Sequence, residues 1–119
     1  MTENKVIALA HRTFNKISTK YGHSKFHNSF PYLDIEESAY SDAVTTSFGE
    51  YNASDNSLVI YWKNIETKED LIRTIIHEYQ HYLQSPSWYQ RYFKMGYGYN
   101  EHPYEIAAYN EEQNWQNFL

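Results

Sequence analysis

Leu71-Ile72-Arg73-Thr74-Ile75-Ile76-His77-Glu78-Tyr79-Gln80-His81-Tyr82-Leu83-Gln84 is the stretch whose reading decides the fold. Placed on a helical wheel at 100° per residue, Leu71, Ile72, Ile75, Tyr79, Tyr82 and Leu83 share one broad side, and Arg73, Thr74, His77, His81 and Gln84 share the other. Thr67-Lys68-Glu69-Asp70 supplies the start signal: Thr67 caps, Asp70 reaches back, and the acids suit the positive end of the helix dipole. Ser85-Pro86 supplies the stop. The expectation is a capped helix with an apolar face toward a core and a polar strip opposite it.

On that strip His77 and His81 are four residues apart, so their imidazoles stand about one turn apart, with the Glu78 carboxylate beside them. An H-E-x-x-H run on a helix has a specific chemistry: the histidines ligate zinc, and the glutamate acts as general base toward a metal-activated water. A catalytic zinc takes three protein ligands and keeps a fourth position open, so a third donor is required. With no cysteine in the chain, it must be His, Asp or Glu. Glu105 is the leading candidate, because His102-Pro103-Tyr104-Glu105-Ile106-Ala107-Ala108-Tyr109 opens another helix with Pro103 at its first position. Ala108 would let that helix approach the first one closely. His102 is the rival ligand, and Glu101, Glu111 and Glu112 lie nearby with a solvated helix face as their competing role.

Outward from these two segments, residues 4–20 place Val6, Leu9, Ala10, Phe14 and Ile17 at helical intervals, with Gly22 as the stop. His11 lies near that stripe and is read as packed or solvated. His23 and His27 have ligand-like spacing, but Gly22, Asn28, Ser29 and Pro31 argue against a helix there, so both are read as surface histidines. Residues 24–40 suit one strand or extended segment. Residues 43–51, the turn-forming 52–57 and Leu58-Val59-Ile60-Tyr61-Trp62 read as an antiparallel hairpin. An open edge of that sheet would accept an extended peptide as an added strand. Residues 87–95 suit a short helix with Trp88, Tyr92 and Phe93, followed by the glycine-rich loop Gly96-Tyr97-Gly98-Tyr99-Asn100. Tyr97, Tyr99 and Tyr92 are candidate donors to a developing oxyanion, with packing as their alternative role, and His102 is a further one. In the last helix Ile106, Tyr109, Gln113 and Phe118, with Ala107 and Ala108, are the expected packing surface.

The 119 residues fit a single domain. A net charge of −5 with 10 Lys and Arg gives no basic footprint for nucleic acid and no cationic face for a membrane surface. The polar start and the absence of cysteine point to the cytoplasm. The 13 tyrosines are read as amphipathic packing. Oligomeric state is left open by the sequence.

His77-Glu78-Tyr79-Gln80-His81 followed by Pro103-Tyr104-Glu105-Ile106-Ala107-Ala108 resembles the gluzincin branch of the zincin metallopeptidases, and the small size resembles the minigluzincins. The resemblance covers residues 43–118, and the first third only in outline. It implies an α+β zincin-like domain: an N-terminal helix, a short antiparallel sheet, the H-E-x-x-H helix, and a C-terminal helix with the third ligand. It further implies His77, His81 and Glu105 as zinc ligands, Glu78 as catalytic base, and a peptide or protein substrate. Many gluzincins carry an aspartate four residues after the ligand glutamate to orient a histidine. Here that position is Tyr109, so the outer support must come from elsewhere. The competing expectation is a zincin-like scaffold that binds zinc or a partner without catalysis.

Overall fold

The computed structural model describes residues 1–37 and 47–119. Residues 43–46, the start of the expected hairpin, lie outside the described residues. In chain order the elements are α1 (Glu3–Tyr21), β1 (Tyr32–Glu36), β2 (Gly49–Asn52), β3 (Ser57–Tyr61), α2 (Lys68–Leu83), α3 (Pro86–Lys94) and α4 (Pro103–Glu112), with 3-10 turns at Trp62–Asn64 and Trp115–Phe118. The class is α+β.

α2 begins where the sequence places it. Thr67 accepts from the Asp70 N–H and the Asp70 side chain accepts from the Thr67 N–H, which completes the capping box. α1 is capped by Thr2 and ends at Gly22, whose φ of 79° is left-handed and whose N–H bonds the Ser18 carbonyl at 2.8 Å. Val6, Ala10 and Ile17 of α1 meet Leu58 and Ile60 of β3 and Leu71, Ile72, Ile75, Ile76, Tyr79 and Tyr82 of α2 in one core.

The sheet is mixed rather than purely antiparallel. β2 and β3 form the expected hairpin, but β1 pairs parallel to the other side of β3, giving the order β1-β3-β2. β3 is the most apolar strand and is buried over Leu58–Tyr61, which suits the central position. β2 runs along α2, and Gly49 sets how closely: a Cβ there would lie 2.5 Å from the Val59 carbonyl oxygen and 2.9 Å from Thr74 Cγ2.

Two expectations about helix faces change. The polar strip of α2 does not face water, since Thr74, His77 and Gln80 are all buried. α4 lies across that strip with the expected Glu105 and Ala108 buried, together with His102, but Ile106 and Tyr109, expected to pack, remain 45% and 48% exposed. A buried charged face is stable only when its groups are paired, and these are. α4 also ends at Glu112, and Phe118 reaches the core from the 3-10 turn instead.

The tyrosines tie loops to this frame. Tyr79 donates to the Gly22 carbonyl at 2.5 Å, and Tyr82 donates to the Ser29 carbonyl at 2.9 Å while accepting from the Ser24 N–H. His23 is exposed, as expected. His27 is not a free surface group: it is half-buried, stacks on Tyr82 at 5.3 Å and bonds the Tyr51 hydroxyl at 3.1 Å. His11 is exposed on α1.

Candidate metal centre

One turn of α2 carries His77, Glu78 and His81, and each offers a donor atom within 4.8 Å of the others. The imidazole centroids are 4.9 Å apart. α4 brings Glu105 over them, 2% exposed, with Oε1 2.9 Å from His77 Nε2 and 3.1 Å from His81 Nε2. The other carboxylate oxygen of Glu105 accepts from the Tyr89 hydroxyl of α3. α2, α3 and α4 thus meet at one carboxylate.

The other ring nitrogens constrain what this convergence could hold. His77 Nδ1 lies 2.7 Å from Glu112 Oε2, an acceptor, so Nδ1 carries the proton. His81 Nδ1 lies 2.8 Å from Gln84 Oε1. The Gln84 amide is oriented by its Nε2, which donates to the Tyr104 carbonyl at 3.1 Å, so its oxygen faces His81 and that Nδ1 is also a donor. In neutral imidazoles both Nε2 lone pairs then point at a carboxylate oxygen. Three acceptors aimed at one place repel one another unless a proton or a cation stands between them. Two imidazole nitrogens and a carboxylate, with no sulfur, match the donor set of a hydrolytic zinc. The residues therefore fit the metal that the motif implies.

The charges agree with this geometry. Burial alone would pull the His77 imidazole down, but Glu105, Glu112 and Glu78 outweigh it and push it up to about 10. Burial would raise Glu105, yet the bonds from His77, His81 and Tyr89 hold it well below the usual carboxylate range. Glu78 is pushed up to about 7, chiefly by burial and also by the Glu105 charge, against the pull of both histidines and of the Tyr51 backbone N–H. A carboxyl near neutrality is suited to taking and returning a proton.

The remaining sequence candidates separate cleanly. His102 caps α4: its Nδ1 accepts from the Tyr104 N–H at 3.1 Å and its Nε2 donates to the Tyr89 carbonyl at 2.9 Å. Fully buried with both nitrogens engaged, it stands outside the convergence point. Tyr99 reaches the site, with its hydroxyl bonded to Tyr109 and Glu105. Tyr92 packs against His102 and Tyr104, and Tyr97 packs edge-on against Tyr92. Glu111 points away, accepting from Tyr21 at 2.6 Å. Sequence reasoning missed Tyr89 as a partner of Glu105 and put Glu112 on a solvated face. Helical spacing is the signal that finds Glu112, which lies two turns beyond Glu105 on the same face.

Two clefts meet at the site. One, about 490 Å³, lies on the His81 side and is walled by residues 49–54, Gln84, Pro86, Tyr89 and Tyr99. The other, about 340 Å³, lies on the His77 side between Ser47, Phe48, Asp70, Arg73 and Tyr109. Gly49, Glu78 and Tyr99 line both. The edge of β2 forms one bank. The Tyr61 N–H bonds the Phe48 carbonyl, and alternation along an antiparallel pair then turns the N–H and C=O of Gly49 and Tyr51 away from β3, toward α2. The Tyr51 N–H donates to Glu78 there.

Comparison of the chain with family models, with curated proteins and with solved structures finds no match.

Proposed function

We propose that this chain is a metal-dependent hydrolase and, more specifically, a zinc peptidase of the gluzincin type, in which His77, His81 and Glu105 hold the metal. The observation that carries this reading is the convergence of two imidazole Nε2 atoms and one Glu105 oxygen, with both imidazole Nδ1 protons already committed elsewhere. Zinc held there supplies a Lewis acid that polarises a carbonyl and makes water acidic near neutral pH. Glu78, at the junction of both clefts, takes a proton from the attacking water and delivers it to the leaving amine. A cation beside it would draw its carboxyl back toward the ionised form, as a base requires. Tyr99 lines both clefts, and in this reading its hydroxyl would turn from Tyr109 and Glu105 to donate to a developing oxyanion.

The substrate reading follows from the channel. It runs beside α2 from Asp70 to Gln84, about 20 Å at 1.5 Å per residue, and that length holds about six residues of extended chain. The outward Gly49 N–H and Tyr51 carbonyl offer it strand-like hydrogen bonds, while the Tyr51 N–H is held by Glu78 and the Gly49 carbonyl by Ser47. At one end Asp70 is held in the capping box, and Arg73 pairs with Glu69 through Nε at 2.9 Å. An internal bond of an extended segment is the fitting substrate. Against a scaffold that only stores zinc stands His102: a closed site needs a fourth protein donor, and its two nitrogens are engaged. The absence of cysteine suits a cytoplasmic setting, and among the described residues no helix is long and apolar enough to cross a membrane.

The test is Glu78→Gln. Zinc uptake should stay within a few-fold of wild type while cleavage of a peptide library falls by 100-fold or more. Equal cleavage by the variant would remove Glu78 from the chemistry, and a wild-type chain that takes up no zinc would end the reading.

A further inference from the structure

Position 109, one turn beyond Glu105, holds a tyrosine, and its ring lies edge-on against the His77 imidazole with centroids 4.5 Å apart. It covers the ring and offers no anion to Nδ1. The carboxylate that reaches Nδ1 comes from one turn further along. Glu105 and Glu112 are seven residues apart, so they leave α4 within about 20° of the same direction. Between them they pinch the His77 ring end to end, with Glu105 at Nε2 (2.9 Å) and Glu112 at Nδ1 (2.7 Å). Glu112 is mostly buried, its side chain 14% exposed, whereas the other outer contact, Gln84 on His81, is neutral.

We infer that Glu112 is the positioning residue of this metal centre: it holds the His77 proton on Nδ1 and presents Nε2 as the ligand atom. This rests on the metal-site reading above. Its chemical reason is that a negatively charged acceptor fixes both the tautomer and the orientation of the ring, and raises the electron density of the nitrogen opposite. It also makes the length of α4 matter. The helix must persist for about two turns past Glu105, to Glu112; Gln113 caps it and Asn114 departs from helical dihedrals.

Zinc affinity, measured for the isolated chain by competition with a chromophoric chelator at fixed pH, tests this apart from catalysis. Glu112→Ala should bind zinc 10- to 100-fold more weakly. Glu112→Gln, whose amide oxygen can still accept from Nδ1–H, should recover most of that loss. Glu111→Ala, which removes the bonds from Tyr21 and Asn114 and none to His77, should leave the affinity unchanged. If the alanine variant does not fold, Glu112→Asp serves, because its shorter arm withdraws the carboxylate from Nδ1 and should give the same loss. Wild-type affinity in the folded alanine or aspartate variant overturns the role of Glu112 and leaves the metal-site reading standing. A wild-type chain that binds no zinc overturns both.

Discussion

At the scale of single residues, the centre is a problem of proton placement. With Nδ1 of His77 donating to Glu112 and Nε2 facing Glu105, the metal-free ring is satisfied only as an imidazolium, which agrees with its rise from 6.5 to about 10. A group whose folded value is raised contributes stability fully below its unfolded value, near 6.5, and loses it as the pH climbs through about 10. At pH 7 the metal-free chain therefore carries a proton on Nε2 that zinc must displace. Calorimetric titration with zinc in buffers of different ionisation enthalpy should show release of at least one proton at pH 7, from His77 and in part from Glu78. Affinity should weaken as the pH falls. Release of no proton would mean that His77 is neutral before zinc arrives.

Among the elements, the geometry depends on how closely β2 runs beside α2. Gly49 is the contact point, and its missing side chain is the reason the strand passes so near Thr74, one turn before Glu78. Gly49→Ala places a methyl against the backbone oxygen of Val59, which cannot rotate away. Overpacking of this kind costs about 1–3 kcal/mol. The expected outcome is a lower midpoint of thermal unfolding and weaker peptide cleavage, with zinc uptake retained because its donors lie on α2 and α4. A variant with wild-type cleavage would show that β2 does not form the substrate bank. The helix faces teach a related point. Binary patterning gave α2 an apolar side and a polar strip, and α4 covers that strip with Glu105, Ala108 and His102. Ile106 and Tyr109 look like core residues in the sequence and end up half in water, because α4 turns its Glu105 and Ala108 side inward, leaving Tyr109 an edge contact with His77.

At the scale of the whole molecule, the two clefts adjoin along α2, and Gly49, Glu78 and Tyr99 line both. In the proposed reading, these clefts hold the backbone of about six extended residues. Peptides of eight to ten residues blocked by N-terminal acetylation and C-terminal amidation should be cut internally, at rates within about twofold of their unblocked forms, as mapped by mass spectrometry. Stepwise release of single residues from free ends alone would contradict that reading.

Much of this was legible in the chain. The capping box, the His77/Glu78/His81 turn, the β2–β3 hairpin, α1 with its Gly22 stop and the proline start of α4 all rest on contacts between residues a few positions apart, and periodicity reports those directly. What the fold alone decided is where distant segments meet. The choice between Glu105 and His102 turned on which side of one helical turn faces α2 and on the Tyr89 carbonyl that engages His102. Likewise the outer carboxylate came from Glu112 and the partner of Glu105 from Tyr89, at 35 and 16 residues' separation. Local sequence sets which groups can ligate, donate or cap. Only packing, by removing water from α2 and α4 together, forces each buried charge to find its particular partner.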